Sequence, residues 1–420
     1  WGQAFADPRE GLCTILVFLA SALASAAGTG GGGVFVPLLA SLSRLGAEAA
    51  VPLSQCMILC GSIVNVAVLA TRRHPGCPRR PLVDYDCVVL LEPMLCLGVT
   101  LGVLLHRIVP QWLLLLILCL SLGSALARTF SRGVRQRRDE LRAAGAPVEP
   151  HAGSEGARGT SYKETCIEFS RTSTWQVAGI VAVWLMMMAS SFHGLPTCTG
   201  KFAAYLAALA GLLAACTAVA GGCVVAAAAA RQQAALEEAP GNAGDGPVRW
   251  VSGSGPLGYL RFPLAALGAG LLGGLLGLGG GTVISPVLLE VGMHSQAVQA
   301  TTALFVFLSS SLATVQYALL ARQVWHYALW YSLVSAAATA LGQHLCEVFI
   351  RRHRRYSFIT FAIAGVLLAS LVALSVVGVY NVVEDISSGR PMSFSAARLC
   401  GGGGVGSMAA VAAAPGLGRR

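Results

Sequence analysis

About ten long apolar stretches dominate this sequence, and they constrain the fold more than any other feature. They occupy residues 11–27, 50–71, 88–105, 111–127, 175–192, 202–229, 258–277, 300–321, 327–350 and 356–380. A helix of about 20 mainly apolar residues crosses the hydrocarbon core of a bilayer. With 55% hydrophobic and only 11% charged residues, the chain has more apolar surface than a soluble core can bury. The sequence therefore predicts an all-α, multi-pass integral membrane protein embedded in the lipid bilayer.

Polar segments divide the apolar stretches into three membrane blocks. The first polar segment begins with basic residues and continues as a mixture of Gly, Ala, Pro and Glu that has little to bury, which predicts disorder. Its arginines are Arg128, Arg132, Arg135, Arg137 and Arg138. We predict a first transmembrane repeat at 1–127, a basic disordered linker at 128–174, a central transmembrane pair at 175–230, a polar linker at 231–256, a second transmembrane repeat at 257–382 and a disordered tail at 383–420.

An internal duplication relates the first and last blocks. A shift of 249 positions without a gap pairs the glycines at 30–32 with those at 279–281. The same shift pairs Pro37 with Pro286 and Ser62 with Ser311. A glycine run, a proline and a downstream serine in one register predict two related helical halves.

The arginines indicate how the two halves are oriented. In the first half the turn at 72–80 carries four arginines, and the next turn carries only Arg107. The second half reverses this order, with Arg322 in the first turn and four arginines at 351–355. Because basic loops stay on the cytoplasmic side, the halves should form an inverted repeat. Each glycine-rich segment must then enter and return as a hairpin, which places all the arginine-rich segments on one side.

The net charge of +10 fits this topological interpretation better than nucleic-acid binding. The arginines lie in short clusters between apolar stretches and do not form a basic face on a folded domain, so we expect no nucleic-acid partner. The 13 cysteines include no CxxC pair with zinc-type spacing, so we expect neither a metal nor a cofactor.

The two glycine runs are the strongest candidates for a functional site. Residues 30–33 are all glycine and precede Pro37, and the glycines at 279–281 precede Pro286. Each glycine costs a helix about 1 kcal/mol relative to alanine, so both runs predict broken helices. A break at membrane depth is tolerated where the backbone is buried in protein or lines a wet cavity. Its exposed N–H groups and positive dipole end attract an anion.

Two such breaks from inverted halves can meet near the midplane and enclose one small oxyanion. Nearby hydroxyl and amide side chains can donate to it without burying a fixed positive charge. The candidate substrate-binding residues are Gly31, Gly32, Gly33, Ser54, Gln55, Ser62, Asn65, Gly279, Gly280, Gly281, Thr282, Thr301, Thr302, Ser309, Ser310 and Ser311. The alternatives are close helix packing through the glycines, and hydroxyls that bond back to their own helix.

Glu92 is the candidate for carrying a coupled proton. It is a carboxylic acid inside an apolar stretch and precedes Pro93, and acids within membrane spans are rare and mostly functional. Two alternatives stand beside this hypothesis: a side chain that reaches the cytoplasmic interface, and a pair with an arginine.

The sequence also resembles a known transporter family. In the first half the resemblance is carried by the glycine run with FVPLL, SQCMILCGSIVN, RHPGCPRRPLVDYD and EPMLCLGVTLGV. In the second half it is carried by GLLGGLLGLGGGTVISPVLLEVG, ATTALFVFLSSSLATVQYALLAR and ALGQHL. These stretches look like the sulfite exporter family TauE/SafE in its plant and protist form. The resemblance implies a transporter of sulfite or related sulfur-containing anions.

Together these features predict a secondary transporter that moves a small sulfur-containing anion by alternating access. The anion would be sulfite, thiosulfate or an organosulfonate. The alternative is a membrane receptor or scaffold that uses the same fold without transport, with residues 128–174 as its partner-binding element. We do not expect an enzyme, because the spans contain no HExxH motif, GxSxG motif or aspartate dyad.

Overall fold

A computed structural model describes most of the chain outside its linkers and termini. The described residues are 8–26, 32–42, 46–70, 73–74, 77–145, 174–192, 200–238, 256–290, 293, 295–320, 325–353 and 357–387. Five helices in these ranges are long and apolar enough to cross a membrane, with spans at Ala49–Leu69, Tyr85–Ile108, Gln111–Arg135, Gly200–Val224 and Ala297–Leu320. Four shorter apolar helices accompany them, at Glu10–Ser25, Trp175–Ser191, Arg261–Leu276 and Leu367–Tyr380.

The architecture is α-helical, as the composition predicts. The helices are α1 Pro8–Ala26, α2 Gly32–Leu42, α3 Gly46–Ala70, α4 Tyr85–Ile108, α5 Gln111–Gly145, α6 Thr174–Ser191, α7 Gly200–Glu238, α8 Pro256–Leu276, α9 Gly281–Glu290, α10 Ser295–Leu320, α11 Trp325–His353 and α12 Ser357–Ser387. One small antiparallel hairpin, β1 Arg73–His74 with β2 Cys77–Pro81, lies between α3 and α4. Every predicted apolar stretch lies within, or largely within, a helix.

The two halves are inverted relative to each other. The register of 249 residues equates α3 with α10, and these two helices run in opposite directions. Near the start of α3 and the end of α10, Gln55 and Tyr317 donate to the adjacent carbonyls of Gly273 and Gly274. At the other end of α3, Leu69 shares a buried cluster with residues near the start of α10. The inverted repeat predicted from the arginines is therefore present in the helix directions.

Helices from the two halves are interleaved. In the first helix group, α1 and α3 of the first half run parallel to α11 of the second. Ser335 donates to the Met57 carbonyl at 3.2 Å, and Gln343 donates to Asn65 at 2.9 Å and to the Ser25 carbonyl at 2.9 Å. These contacts join each half to a helix of the other half.

The second helix group contains α4 of the first half with α8 and α10 of the second. The Asp84 N–H donates to Thr301 at 3.0 Å, and Gln316 donates to Thr100 at 2.8 Å, so α4 and α10 are parallel. Glycines bring α4 and α8 into backbone contact, because a Cβ at any one of four positions would overlap the backbone of the facing helix. These positions are Gly98, Gly102, Gly270 and Gly274.

The second glycine-rich segment forms the predicted hairpin. Helix α8 ends at Leu276, and α9 then runs antiparallel to α10, since Gly281 lies against Val306 and Ser285 donates to Thr302 at 3.2 Å. Because α8 and α10 are parallel, the chain returns between them through α9. The segment thus enters and leaves at the same end of the bundle.

The arginine-rich segments lie at one end of the bundle. Helices α3 and α11 are parallel and end at Ala70 and His353. Helix α12 starts beside the end of α11, and its Phe361 packs edge-on against Phe130 of α5 at 5.8 Å. The described residues 73–74, 77–80, 128–138 and 351–353 therefore share one end, as predicted from the charge pattern.

Three helices extend beyond the predicted block boundaries. Helix α5 continues to Gly145, so residues 128–145 are helical, whereas the sequence analysis predicted a disordered linker from residue 128. Arg128 bonds back to Ser124, and Phe130 packs on Phe361, which stabilises this extension. Helices α7 and α12 likewise reach Glu238 and Ser387, past the predicted boundaries at 230 and 382. The remainder of each predicted linker and of the tail, 146–173, 239–255 and 388–420, lies outside the described residues.

Candidate functional site

The candidate site is the break between α8 and α9. Gly277 and Gly279 have φ angles of +70° and +66°, in the left-handed region that residues with a Cβ rarely adopt. The N–H of Gly277 still bonds to the Gly273 carbonyl at 3.1 Å, and the helix then stops. The glycine run thus reverses the chain over residues 277–280, as the sequence predicts.

The first glycine run meets this break. A Cβ on Gly32, the first residue of α2, would overlap the Leu278 carbonyl and lie 2.7 Å from the Ile58 side chain. Ile58 also lies beside Gly279. Gly32 of the first run and Gly279 of the second therefore meet at Ile58 of α3. Gly33 faces Leu367 at an ordinary contact distance of 3.6 Å.

Side-chain donors cap the carbonyl end of α8. A helix leaves its last four C=O groups without partners inside the helix, and burying them unpaired is costly. Four side-chain donors reach carbonyls here: Gln55 Nε2 to Gly273 at 2.8 Å, Tyr317 OH to Gly274 at 2.6 Å, the His106 ring to Leu275 at 3.0 Å and Ser54 Oγ to Gly277 at 2.9 Å. Ser54 shares its one proton between Gly277 and the Val51 carbonyl at 2.8 Å. The carbonyls of residues 273–275 at the end of α8, and that of Gly277, thus have hydrogen-bond partners.

The opposite side of the break is the positive end of α9. The Ile284 N–H bonds to the Gly280 carbonyl at 3.1 Å, which leaves the N–H groups of residues 281–283 with no acceptor inside the helix. Thr302 and Val306 of α10 lie against Gly281, and Ser309 Oγ lies 3.7 Å from the position of a Cβ on Gly280. Capped carbonyls on one side and helix N–H groups on the other favour negative charge in the break.

The predicted serine cluster lies on α10 next to this end of α9. Ser309, Ser310 and Ser311 are buried, and each donates to a carbonyl three residues earlier in its own helix. Ser311 also accepts a hydrogen bond from the Trp184 indole at 2.9 Å. The hydroxyl protons are thus occupied within the helix in this structure, as the alternative of bonding back predicts.

Ser62 and Asn65 lie two to three turns beyond Ser54 and Gln55 on α3. Ser62 donates to the Leu59 carbonyl of its own helix at 2.8 Å, and Asn65 accepts from Gln343 of α11 at 2.9 Å. Both are buried, and Asn65 lies at the contact between α3 and α11. Of the candidates on α3, the structure brings Ser54 and Gln55 to the break and places Ser62 and Asn65 in the first helix group.

Three further candidates are Thr301, Thr282 and Gly31. Thr301 accepts from the Asp84 N–H and joins α10 to α4, so it lies at the far end of α10 from Tyr317. Thr282 is in the first turn of α9, and its side chain lies outside the described residues. Gly31 also lies outside them.

Glu92 is buried in the second helix group. Its side chain is 1% exposed, and neither carboxyl oxygen has a hydrogen-bond partner among the described residues. One turn further along α4, Leu95 lies against Gly280 at 3.0 Å from the Cβ position. The parallel register that pairs residue 84 with 301 and 100 with 316 puts Glu92 level with Ser309. Glu92 is thus beside the break and not at the interface.

Sequence reasoning missed two of the four capping side chains, His106 and Tyr317. Tyr317 lies within the stretch 300–322 that carries the family resemblance and His106 lies outside the matching stretches. The role of both depends on the approach of α4 and α10 to α8, which no local spacing encodes. It also missed Trp184, which stacks on Phe307 at 6.4 Å and bonds to Ser311. Within the described ranges, no group of three or more His, Cys, Asp or Glu residues could hold a metal ion.

Comparison with known proteins gives a consistent result. A family model described as Sulfite exporter TauE/SafE matches residues 13–244 and 262–417. Sulfite exporter TauE/SafE family protein 3 of Arabidopsis thaliana is 30% identical over 411 residues, which cover 94% of this chain and 83% of that protein. Family protein 1 of the same plant is 29% identical over 399 residues, covering 91% and 87%. No solved structure matches the chain.

Proposed function

Because the chain belongs to the sulfite exporter TauE/SafE family, we propose that it moves a small sulfur-containing anion across a membrane by alternating access. Sulfite, thiosulfate and an organosulfonate are the candidate substrates. The observation that carries the proposal is the break between α8 and α9. There the carbonyl end is capped by side chains and the N–H groups of α9 begin.

The anion occupies the positive end of α9 in this proposal. Backbone N–H groups bind an oxyanion without a buried fixed charge, so the site can also release it. Ser309 is near enough to rotate its hydroxyl toward a bound oxyanion, exchanging its bond to the Val306 carbonyl for one to the substrate. The interleaved helix groups supply the two surfaces that move against each other, with the break on one and α3 on the other.

Binding and flux test this function directly. Isothermal titration of the purified protein with sulfite, thiosulfate and sulfate should detect binding of at least one oxyanion, and proteoliposomes should take up the same anion. A Gly280→Leu variant should lose uptake while remaining monodisperse in size-exclusion chromatography, since Gly280 is surrounded by Leu95 and Ser309. Gly268→Leu is the control, because a Cβ on Gly268 in α8 meets nothing within 4 Å. No binding and no flux of any oxyanion would refute the proposal.

Glu92 carries the coupled proton in this proposal. An ionised carboxylate without partners is costly in a buried site, so Glu92 exchanges its charge for a proton whenever it faces the protein interior. Glu92→Gln should abolish substrate-driven proton movement measured with a pH-sensitive dye in proteoliposomes. Glu10→Gln is the matched control, because Glu10 is also buried but accepts from Tyr331 at 2.9 Å. Proton movement that survives in Glu92→Gln would refute this role.

A further inference from the structure

The last turn of α8 is held by two side chains that belong to none of the predicted site residues. The Tyr317 hydroxyl donates to the Gly274 carbonyl at 2.6 Å. The His106 ring contacts the Leu275 carbonyl at 3.0 Å through Nδ1. Because a carbonyl only accepts, this contact requires the tautomer with its hydrogen on Nδ1. Both donors act two to three residues before the first left-handed glycine.

The two side chains support each other. Their rings meet edge to face, with centroids 5.5 Å apart and planes at 88°. Tyr317 is 1% exposed, so its hydrogen bond forms in a low-dielectric environment where a lost partner is costly. His106 comes from α4 and Tyr317 from α10, so the pair ties three helices together at the end of α8.

Helix α4, which carries His106, packs closely on α8. The backbones of the two helices are in direct contact, because a Cβ at Gly98, Gly102, Gly270 or Gly274 would overlap the facing helix. His106 lies one turn beyond Gly102 on α4 and reaches the Leu275 carbonyl from there. By contrast, Ser54 and Gln55 reach the same helix end from α3, which belongs to the first helix group.

We propose that His106 and Tyr317 are positioning residues for the break. They set the direction of the last turn of α8 and thereby the orientation of the turn at 277–280 and of the first N–H groups of α9. The substrate part of this inference rests on the proposed function, since the N–H groups of α9 are the oxyanion site there. The structural part, the ordering of residues 277–284, stands without it.

Hydrogen–deuterium exchange and anion binding test the inference together. Tyr317→Phe removes one hydroxyl and keeps the ring, and Tyr331→Phe is its control, because Tyr331 is a buried tyrosine bonded to Glu10 away from the break. Tyr317→Phe should speed amide exchange at residues 277–284 and weaken sulfite binding roughly tenfold, a typical effect of one buried acceptor left unpaired. Tyr331→Phe should leave both unchanged.

His106 provides the second arm. His106→Asn retains a donor near the position of Nδ1 and should keep exchange and binding close to those of the wild type. His106→Leu should behave like Tyr317→Phe. If Tyr317→Phe and His106→Leu lower only the melting temperature, with exchange at 277–284 and affinity unchanged, the inference is wrong. A wild-type protein that binds no oxyanion would refute the proposed function, and amide exchange would still decide this inference.

Discussion

The two glycine runs occupy equivalent places in the inverted halves, yet the glycines serve different physical needs. In the second run, Gly277 and Gly279 adopt φ angles that a Cβ disfavours, so the run is required by backbone conformation. In the first run, Gly32 lies within α2 and is required by the close approach of Leu278. Gly277 and Gly279 therefore form a turn, and Gly32 leaves room for it. Two copies of a duplicated motif can thus keep the same glycines for different reasons: backbone conformation in one copy and close packing in the other.

The largest expected effect is at Gly277. A Gly277→Ala change adds left-handed strain of about 1–2 kcal/mol and a collision with Ser54 Oγ, 2.5 Å from the new Cβ. We expect a total destabilisation of about 2–4 kcal/mol. Thermal unfolding in detergent would measure it. Wild-type stability in this variant would contradict the conformational role of the second run.

Gly32→Ala tests the spatial role of the first run. The new methyl group would overlap the Leu278 carbonyl, which belongs to the backbone and cannot rotate away. We expect a loss of about 1–3 kcal/mol with no left-handed strain. If Ala and Ser at position 32 were both neutral in thermal unfolding, the two runs would not touch in the manner described.

A substitution at Gly279 separates the effect of backbone strain from that of steric overlap. A Cβ there meets Ile58 at 3.4 Å, an ordinary contact, so Gly279→Ala should cost only the strain of about 1–2 kcal/mol. Gly279→Asn should cost less, because asparagine tolerates the left-handed region. An asparagine variant no more stable than the alanine variant in the same unfolding assay would break the argument.

Gly33 gives the smallest expected effect. Its Cβ would meet only Leu367 at 3.6 Å, and alanine favours a helix over glycine by up to about 1 kcal/mol. Gly33→Ala should therefore be neutral or slightly stabilising in thermal unfolding, with transport retained. A loss as large as that of Gly32→Ala would mean that the whole first run, and not its closest residue, is under constraint.

The lengths of the apolar stretches and the positions of the charges predicted the helices and their inverted arrangement. The arginines at 72–80 and 351–355 predicted inverted halves, and the antiparallel α3 and α10 have that relation. The linker prediction was wrong at 128–145, because low local hydrophobicity did not reveal that Phe130 packs on Phe361 of a distant helix. Arginine, the commonest residue in this stretch, also has a high helix propensity.

The sequence predicts the parts of the site that depend on backbone conformation better than the parts that depend on helix packing. Consecutive glycines predict a break in a helix. The shared register of the two runs predicts that the two breaks face each other. Ser54 and Gln55 reach the break, whereas Asn65, about three turns later on the same helix, lies against α11. Which face of α3 meets which neighbour depends on the interleaving of the halves, and that is not encoded in local spacing.

The interleaving of the halves also has a consequence for biosynthesis. The glycine face of α4, with Gly98 and Gly102, is covered by α8, which the ribosome makes only after the linkers and the central pair. Likewise α1 packs against α11, which is also synthesised after the linkers and the central pair. Until then, the close-packing surfaces of the nascent first half are covered by lipid or by the insertion machinery. The two halves therefore assemble after the helices have been inserted.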